Sequence, residues 1–146
     1  MTELVGVLSI FEGDLQAEAK RLWKLFERDY ASTGVQSFDF PNVTFQGGHC
    51  RDLAPVKAAL ADLSRRLRPF TVVIDGLDYF EGHAKAIFLD VRFTDELRHI
   101  NRVVNEMLAG CCETVFEQYR PENWRPHVTV AMNDLTDDAF ARAWHD

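Results

Sequence analysis

A short pattern of residues able to do acid–base and hydrogen-bonding chemistry occurs twice in the chain. Near the C-terminus it reads Pro126-His127-Val128-Thr129-Val130, and in the first third it reads Pro41-Asn42-Val43-Thr44-Phe45. Each copy is a proline, a polar residue, valine, threonine and an apolar residue, and the polar residues lie 85 positions apart (127 less 42). On an extended strand, residues i and i+2 share a face, so His127 goes with Thr129 and Asn42 with Thr44. An imidazole takes and gives protons near neutral pH. Threonine hydroxyls donate and accept hydrogen bonds, and an asparagine amide does so without being able to carry a proton. Two such strands facing one another would make a site of one histidine, two hydroxyls and Asn42.

Neighbouring residues have two readings each. Gln46 follows on the Asn42–Thr44 face and either touches a ligand or hydrates the strand end. Trp124 either stacks a base or packs as an ordinary buried indole, and Tyr119 and Arg125 stand in the same position. Thr44 and Thr129 are also good strand formers in their own right. The basic run Arg65-Arg66-Leu67-Arg68 reads as a complement to the negative end of a helix rather than an RNA contact. Cys111-Cys112 has no matching Cys/His set, so no metal centre is expected. Glu12, Asp14, Asp134, Asp137 and Asp138 read as loop ends and caps.

Composition narrows the class. With 146 residues, 47% of them hydrophobic and including 11 Phe and 3 Trp, the chain has enough apolar side chains for one domain or two tightly packed half-domains. A net charge of −7 argues against wrapping a long nucleic acid through its backbone, but is compatible with a small phosphate-containing ligand. Three cysteines, Cys50, Cys111 and Cys112, are odd in number with two adjacent, which suggests no disulfide framework and a reducing cytoplasm. No secretory pattern opens the sequence, and no run is long enough to span a membrane.

The elements that must position the motifs alternate. Leu4–Phe11 reads as a strand, and Leu15–Tyr30 as an amphipathic helix with Leu15, Ala19, Leu22, Phe26 and Tyr30 on one face. Phe40–Gln46 is the first motif strand, closed by Gly47-Gly48. Asp52 caps a helix over Leu53–Leu67 with Pro55 in its first turn. Phe70–Leu77 and Lys85–Phe93 form a hairpin around Asp78–Gly82. Thr94 caps a helix to about Leu108, which Gly110 stops, with Asp95 and Glu96 at its positive end. Val115–Tyr119 is an edge strand or a loop. His127–Met132 is the second motif strand, and Asp134 or Thr136 caps a last helix to Trp144. An Asp-Leu pair and a helix follow each motif strand, a weak internal repeat. It is consistent with two similar lobes, and clefts between lobes are common ligand sites.

The duplicated motif, its spacing and order, and the segment Trp124-Arg125-Pro126-His127-Val128-Thr129 resemble the two-histidine phosphoesterase superfamily. Its members include RNA 2′,5′-ligase-like proteins and cyclic nucleotide phosphodiesterases. The resemblance covers most of the chain as a single domain, 1–146. It implies an α+β, bilobal fold with pseudo-two-fold antiparallel sheets, outer helices and a central cleft. It also implies metal-independent, cofactor-free chemistry on 2′,3′-cyclic or 2′,5′-linked phosphodiesters of nucleotides or RNA ends. Two imidazoles on opposite sides of phosphorus serve as acid and base near pH 7, and the i+2 hydroxyls donate to non-bridging oxygens where charge builds. Carried over residue by residue, His127 is an acid/base, Thr44 and Thr129 bind the phosphate, and Asn42 stands where the other histidine belongs.

Three consequences of Asn42 stay open at this level. The chain is a weakened relative that binds a nucleotide or RNA end. Or it is a hydrolase rescued by His49 or His83. Or it performs a related reaction needing one histidine. Relatives continue beyond the helix after the second motif into one more strand, so the expected state is a monomer or a weak dimer that covers a sheet edge.

Overall fold

The computed structural model of the protein describes residues 2–11, 13–30, 41–68, 70–80 and 86–132. The described elements run β1 (Glu3–Ile10), α1 (Asp14–Tyr30), β2 (Asn42–Cys50), α2 (Leu53–Arg66), β3 (Ile74–Phe80), β4 (Ala86–Val91), α3 (Asp95–Cys111), β5 (Thr114–Val115), a 3-10 turn (Glu117–Tyr119) and β6 (His127–Met132). The fold is α+β, and among the described residues it has two three-stranded sheets ordered β1-β2-β5 and β3-β4-β6. The expected last helix at 134–144 and the His83 connection lie outside the described residues.

The chain divides into two compact units, each assembled from three separate stretches. One unit comprises Met1–Ser9, Thr44–Val73 and Arg92–Pro126, and the other Ile10–Val43, Ile74–Val91 and His127–Asp146. β2 belongs to both, because Asn42 and Val43 fall in the second unit and Thr44 onward in the first.

In the first unit, β2 pairs antiparallel with β5 through Gly48↔Val115 and His49↔Thr114. The expected strand ending at Gln46 therefore runs on to Cys50, through the two glycines expected to close it. The reason is close approach: a Cβ on Gly47 would lie 2.7 Å from the Phe116 ring and 2.8 Å from the Val5 carbonyl, and one on Gly48 would collide with the Thr114 carbonyl. α2 starts at the expected cap, with the Asp52 carboxylate accepting from Ala54 N–H at 3.0 Å. Thr94 caps α3 by accepting from Leu97 N–H at 3.2 Å. The helix passes Gly110 to Cys111, since a glycine near a helix end costs only about 1 kcal/mol. Its buried stripe of Leu97, Ile100, Val104 and Leu108 forms core with Phe45, Val56 and Leu63.

A further correction concerns the cysteines. Cys50, the last residue of β2, and Cys112, the C-cap of α3, form a disulfide 62 residues apart in sequence, leaving Cys111 free. Spacing in the sequence does not reveal that these two element ends coincide. The Glu113 N–H bond to the His49 carbonyl, 2.9 Å, and the Arg51–Glu113 ion pair lie beside the bridge.

In the second unit, β3, β4 and β6 are antiparallel. β3 begins and ends later than the reading of Phe70–Leu77, with Asp78, Tyr79 and Phe80 inside the strand rather than in its connection. A register shift at Ile74/Gly76 marks its start, where Gly76 adopts a φ of 132° that suits glycine alone. α1 packs on β6, and its buried stripe is Ala19, Trp23 and Phe26, spaced i, i+4 and i+7. Ile87, Leu89, Val91, Val128 and Val130 are buried with them. No described helix is long and apolar enough to cross a membrane.

Candidate active site

Both motifs sit at the start of a strand and show the same alternation. On β2, Asn42 and Thr44 are partly exposed while Val43 and Phe45 are buried. On β6, His127 and Thr129 are partly exposed while Val128 and Val130 are buried. A strand with one face in the core requires this pattern, and it leaves the polar residue and the threonine of each motif on the accessible face. The prolines before them, Pro41 and Pro126, are buried.

Strand register fills in the surroundings of His127. Its partner across β4 is Asp90, and the partner of Thr129 is Phe88. Phe88 in turn opposes Asp78 of β3. Residues directly opposite in an antiparallel pair share a face, so one face of this sheet carries His127, Thr129, Asp90, Asp78 and Phe88. The imidazole is flanked by two phenyl rings. Phe80 meets it edge-on at 4.9 Å between centroids and 83°, and Phe88 lies at 5.2 Å and 58°. The rings restrict the imidazole's rotation on one flank. Asp90 and Phe88 were not singled out from sequence. The available signal was an aspartate inside the apolar strand Ala-Ile-Phe-Leu-Asp-Val.

After Thr129 the ladder slips. Phe88 pairs with Thr129 but Ile87 with Ala131, so Val130 is an extra residue on β6. Such bulges bend a strand and re-aim its side chains. The Thr129 carbonyl accepts from Trp23 Nε1 at 3.0 Å.

Two expected ligand contacts occupy the interior instead. Gln46 is 0% exposed. Its amide nitrogen donates to Asn105 Oδ1 at 2.7 Å and to the Phe116 carbonyl at 3.0 Å, and its oxygen accepts from Gly47 and Phe116 N–H. Alternation alone put it beside Thr44, but α3 supplies a buried amide partner there. Asn101 and Asn105 complete this polar hub by donating to the Tyr119 carbonyl, and Asn101 also to that of Phe45. Trp124 is 4% exposed, packs against Phe45 at 5.6 Å and Phe93 at 5.5 Å, and donates its indole N–H to the Thr44 carbonyl at 3.1 Å. Burial raises the Tyr119 phenol above its ordinary pKa of 10.0.

His49 is exposed, edge-on to Phe116 at 6.0 Å, and opposite Thr114. It stands seven residues beyond Asn42 on a continuous strand, roughly 23 Å along it at 3.3 Å per residue. Gly47-Gly48 does not turn it back, so His49 does not replace the missing imidazole in this conformation. Among the described residues, no group of three or more His, Cys, Asp or Glu side chains could hold a metal ion.

Residues 37–146 match the family model of the 2′-5′ RNA ligase superfamily, a span that takes in both motif strands and everything between them. The chain belongs to that superfamily. Among curated proteins, none matches it.

Proposed function

We propose that the protein is a phosphodiesterase of the RNA 2′,5′-ligase-like type, acting on 2′,3′-cyclic or 2′,5′-linked nucleotide or RNA-end phosphodiesters. The observation that carries this reading is the family match across both motifs, joined to the half-exposed pairs Asn42/Thr44 and His127/Thr129 on otherwise buried strands. His127 is the proton carrier, and Thr44 and Thr129 donate to the phosphoryl oxygens. Gln46 and Trp124 serve by holding β2 in place rather than by touching ligand. Water adds to phosphorus, the bond to a ribose oxygen breaks, and that oxygen ends with a proton. His127 can perform one of the two proton transfers. Asn42 can only hydrogen-bond, so the other falls to solvent or to a further side chain such as His83, and loss of one general acid or base costs about 10²–10⁴-fold.

Asn42 also favours a second reading, a non-catalytic binder of nucleotide or RNA-end phosphates. Turnover of nucleoside 2′,3′-cyclic phosphates by wild type, His127→Ala and Asn42→His, with binding measured in parallel, separates the two. An enzyme shows wild-type turnover that His127→Ala abolishes. Binding without turnover, with activity appearing only in Asn42→His, means a binding protein. Neither binding nor turnover in wild type sinks both.

The same reading takes the protein as a single 1–146 domain, monomeric or weakly dimeric, and cytoplasmic. The Cys50–Cys112 bridge weighs against the last point, because cytosolic thiols are kept reduced. Thiol alkylation of protein captured from intact cells would find both cysteines reduced if the assignment holds.

A further inference from the structure

Among the described residues, each unit contains one tryptophan whose indole N–H donates to the carbonyl of a motif threonine. In one, Trp124 Nε1 reaches the Thr44 carbonyl at 3.1 Å. In the other, Trp23 Nε1 reaches the Thr129 carbonyl at 3.0 Å. Both indoles are buried, with Trp23 at 5% exposure and Trp124 at 4%. The assignment is crossed along the chain. Trp23 precedes the first motif but serves the second, and Trp124 stands three residues before His127 but serves the first.

A buried indole needs an acceptor, and any interior carbonyl would satisfy it. These two come from unlike settings, α1 and the approach to β6. They nevertheless meet the same backbone atom of the same motif residue. The direction of a threonine hydroxyl follows from its own backbone and χ1. A bond to that residue's carbonyl restrains the peptide plane that sets this backbone. At Thr129 the restraint falls next to the Val130 bulge, where a strand is free to bend.

We propose that Trp23 and Trp124 are a matched pair of positioning residues, which hold the backbone at Thr129 and Thr44 so that each hydroxyl is aimed at the phosphoryl group. The proposal rests on the phosphodiesterase reading. It adds that the site's alignment depends on two indole N–H groups that never touch substrate. Alignment of this kind matters because displacement of reacting groups by about 1 Å can cost 10²-fold in rate.

The test uses the full chain with Trp23→Phe, with Trp124→Phe, and with each indole replaced by its benzothiophene isostere, which keeps the ring shape but lacks the N–H. Measured are kcat and KM for a nucleoside 2′,3′-cyclic phosphate, the Kd for a nucleoside 3′-monophosphate, and the unfolding midpoint. The isosteres should lower kcat about three- to tenfold, the size of one neutral hydrogen bond, with KM little changed. That fall should vanish when the partner is already altered, in Thr44→Val for Trp124 and in Thr129→Val for Trp23. If wild type binds without turnover, the same cycle is read in Kd. A lowered midpoint with kcat and Kd unchanged overturns the proposal, as does a loss that persists undiminished in the valine backgrounds. In either case the phosphodiesterase reading stands. Absence of both binding and turnover in wild type removes that reading, and the proposal with it.

Discussion

On the proposed phosphodiesterase reading, the chemistry turns on His127, and Asn42 sets its limit. Restoring a second proton carrier by Asn42→His should raise turnover of a 2′,3′-cyclic phosphate by up to about 10²–10⁴-fold. An unchanged rate in a variant that still binds would mean that position 42 does not face the reacting phosphorus. Thr44→Val and Thr129→Val each remove one donor at nearly constant volume. Each should weaken binding of a nucleoside 3′-monophosphate by about 10- to 150-fold, since a hydrogen bond to a charged group is worth about 1.5–3 kcal/mol. Isothermal titration would show the loss while the unfolding midpoint hardly moves, because both side chains are partly exposed. Tyr119 carries a pH prediction. Its buried phenol ionises above the ordinary value of 10.0, so beyond that pH the unfolded chain releases a proton that the folded chain keeps. Stability therefore falls as pH rises from 10.0 toward the raised folded value. Tyr119→Phe should flatten that alkaline limb in urea titrations without altering stability at neutral pH by the same linkage.

Strand β2 shows how an element serves a site through parts remote from it. Its first residues carry the motif, and four of its last five, Gln46, Gly47, Gly48 and Cys50, are buried and packed for fixation. Gln46 is sunk in the amide hub with Asn101 and Asn105, the glycines admit Phe116 and the Thr114 carbonyl, and Cys50 is bridged to the end of α3. Gly48→Ala should therefore be costly even though alanine suits an ordinary strand. Its Cβ meets backbone, which cannot swing aside as a side chain can, and overpacking of this kind costs about 1–3 kcal/mol. Denaturant unfolding of Gly48→Ala beside Gly110→Ala is the direct comparison. Gly110 lies in α3 with open space about it, so alanine there should be neutral or stabilising. Equal behaviour of the two variants would show that β5 does not press on β2 as described.

For the molecule as a whole, the disulfide is the longest covalent constraint. It closes a loop of 62 residues that contains α2, β3, β4 and α3, and cross-linking a loop of that length restricts the unfolded chain by about 4 kcal/mol in the entropy model. Cys50→Ser, or reduction of wild type, should lower stability by about 2–5 kcal/mol. Thermal unfolding with and without a phosphine reductant measures it. A midpoint indifferent to reductant would mean that the two thiols are not joined in solution.

Much of this was legible in the residues themselves. The caps at Asp52 and Thr94 are local chemistry, decided by a side-chain oxygen and an amide two or three residues on. The burial of Ala19 and Phe26 on α1 follows from helical period, although Trp23, outside the expected stripe, is buried between them while Leu15 and Leu22 are half-buried. The alternation at His127–Val130 follows from strand period, and the repeated motif needs only counting. What the sequence could not reveal depends on neighbours brought from far along the chain. Alternation leaves Gln46 as a ligand contact or a hydrated strand end, and α3 instead supplies Asn105 as its partner; β5 covers Gly47-Gly48, where the residue types suggest a stop. Cys50 found Cys112, and Asp90 came to lie opposite His127, only because strand register and helix docking align residues tens of positions apart. Local patterns determined which elements form and which faces they bury. Long-range packing alone decided which polar side chains the interior consumed and which were left half-exposed.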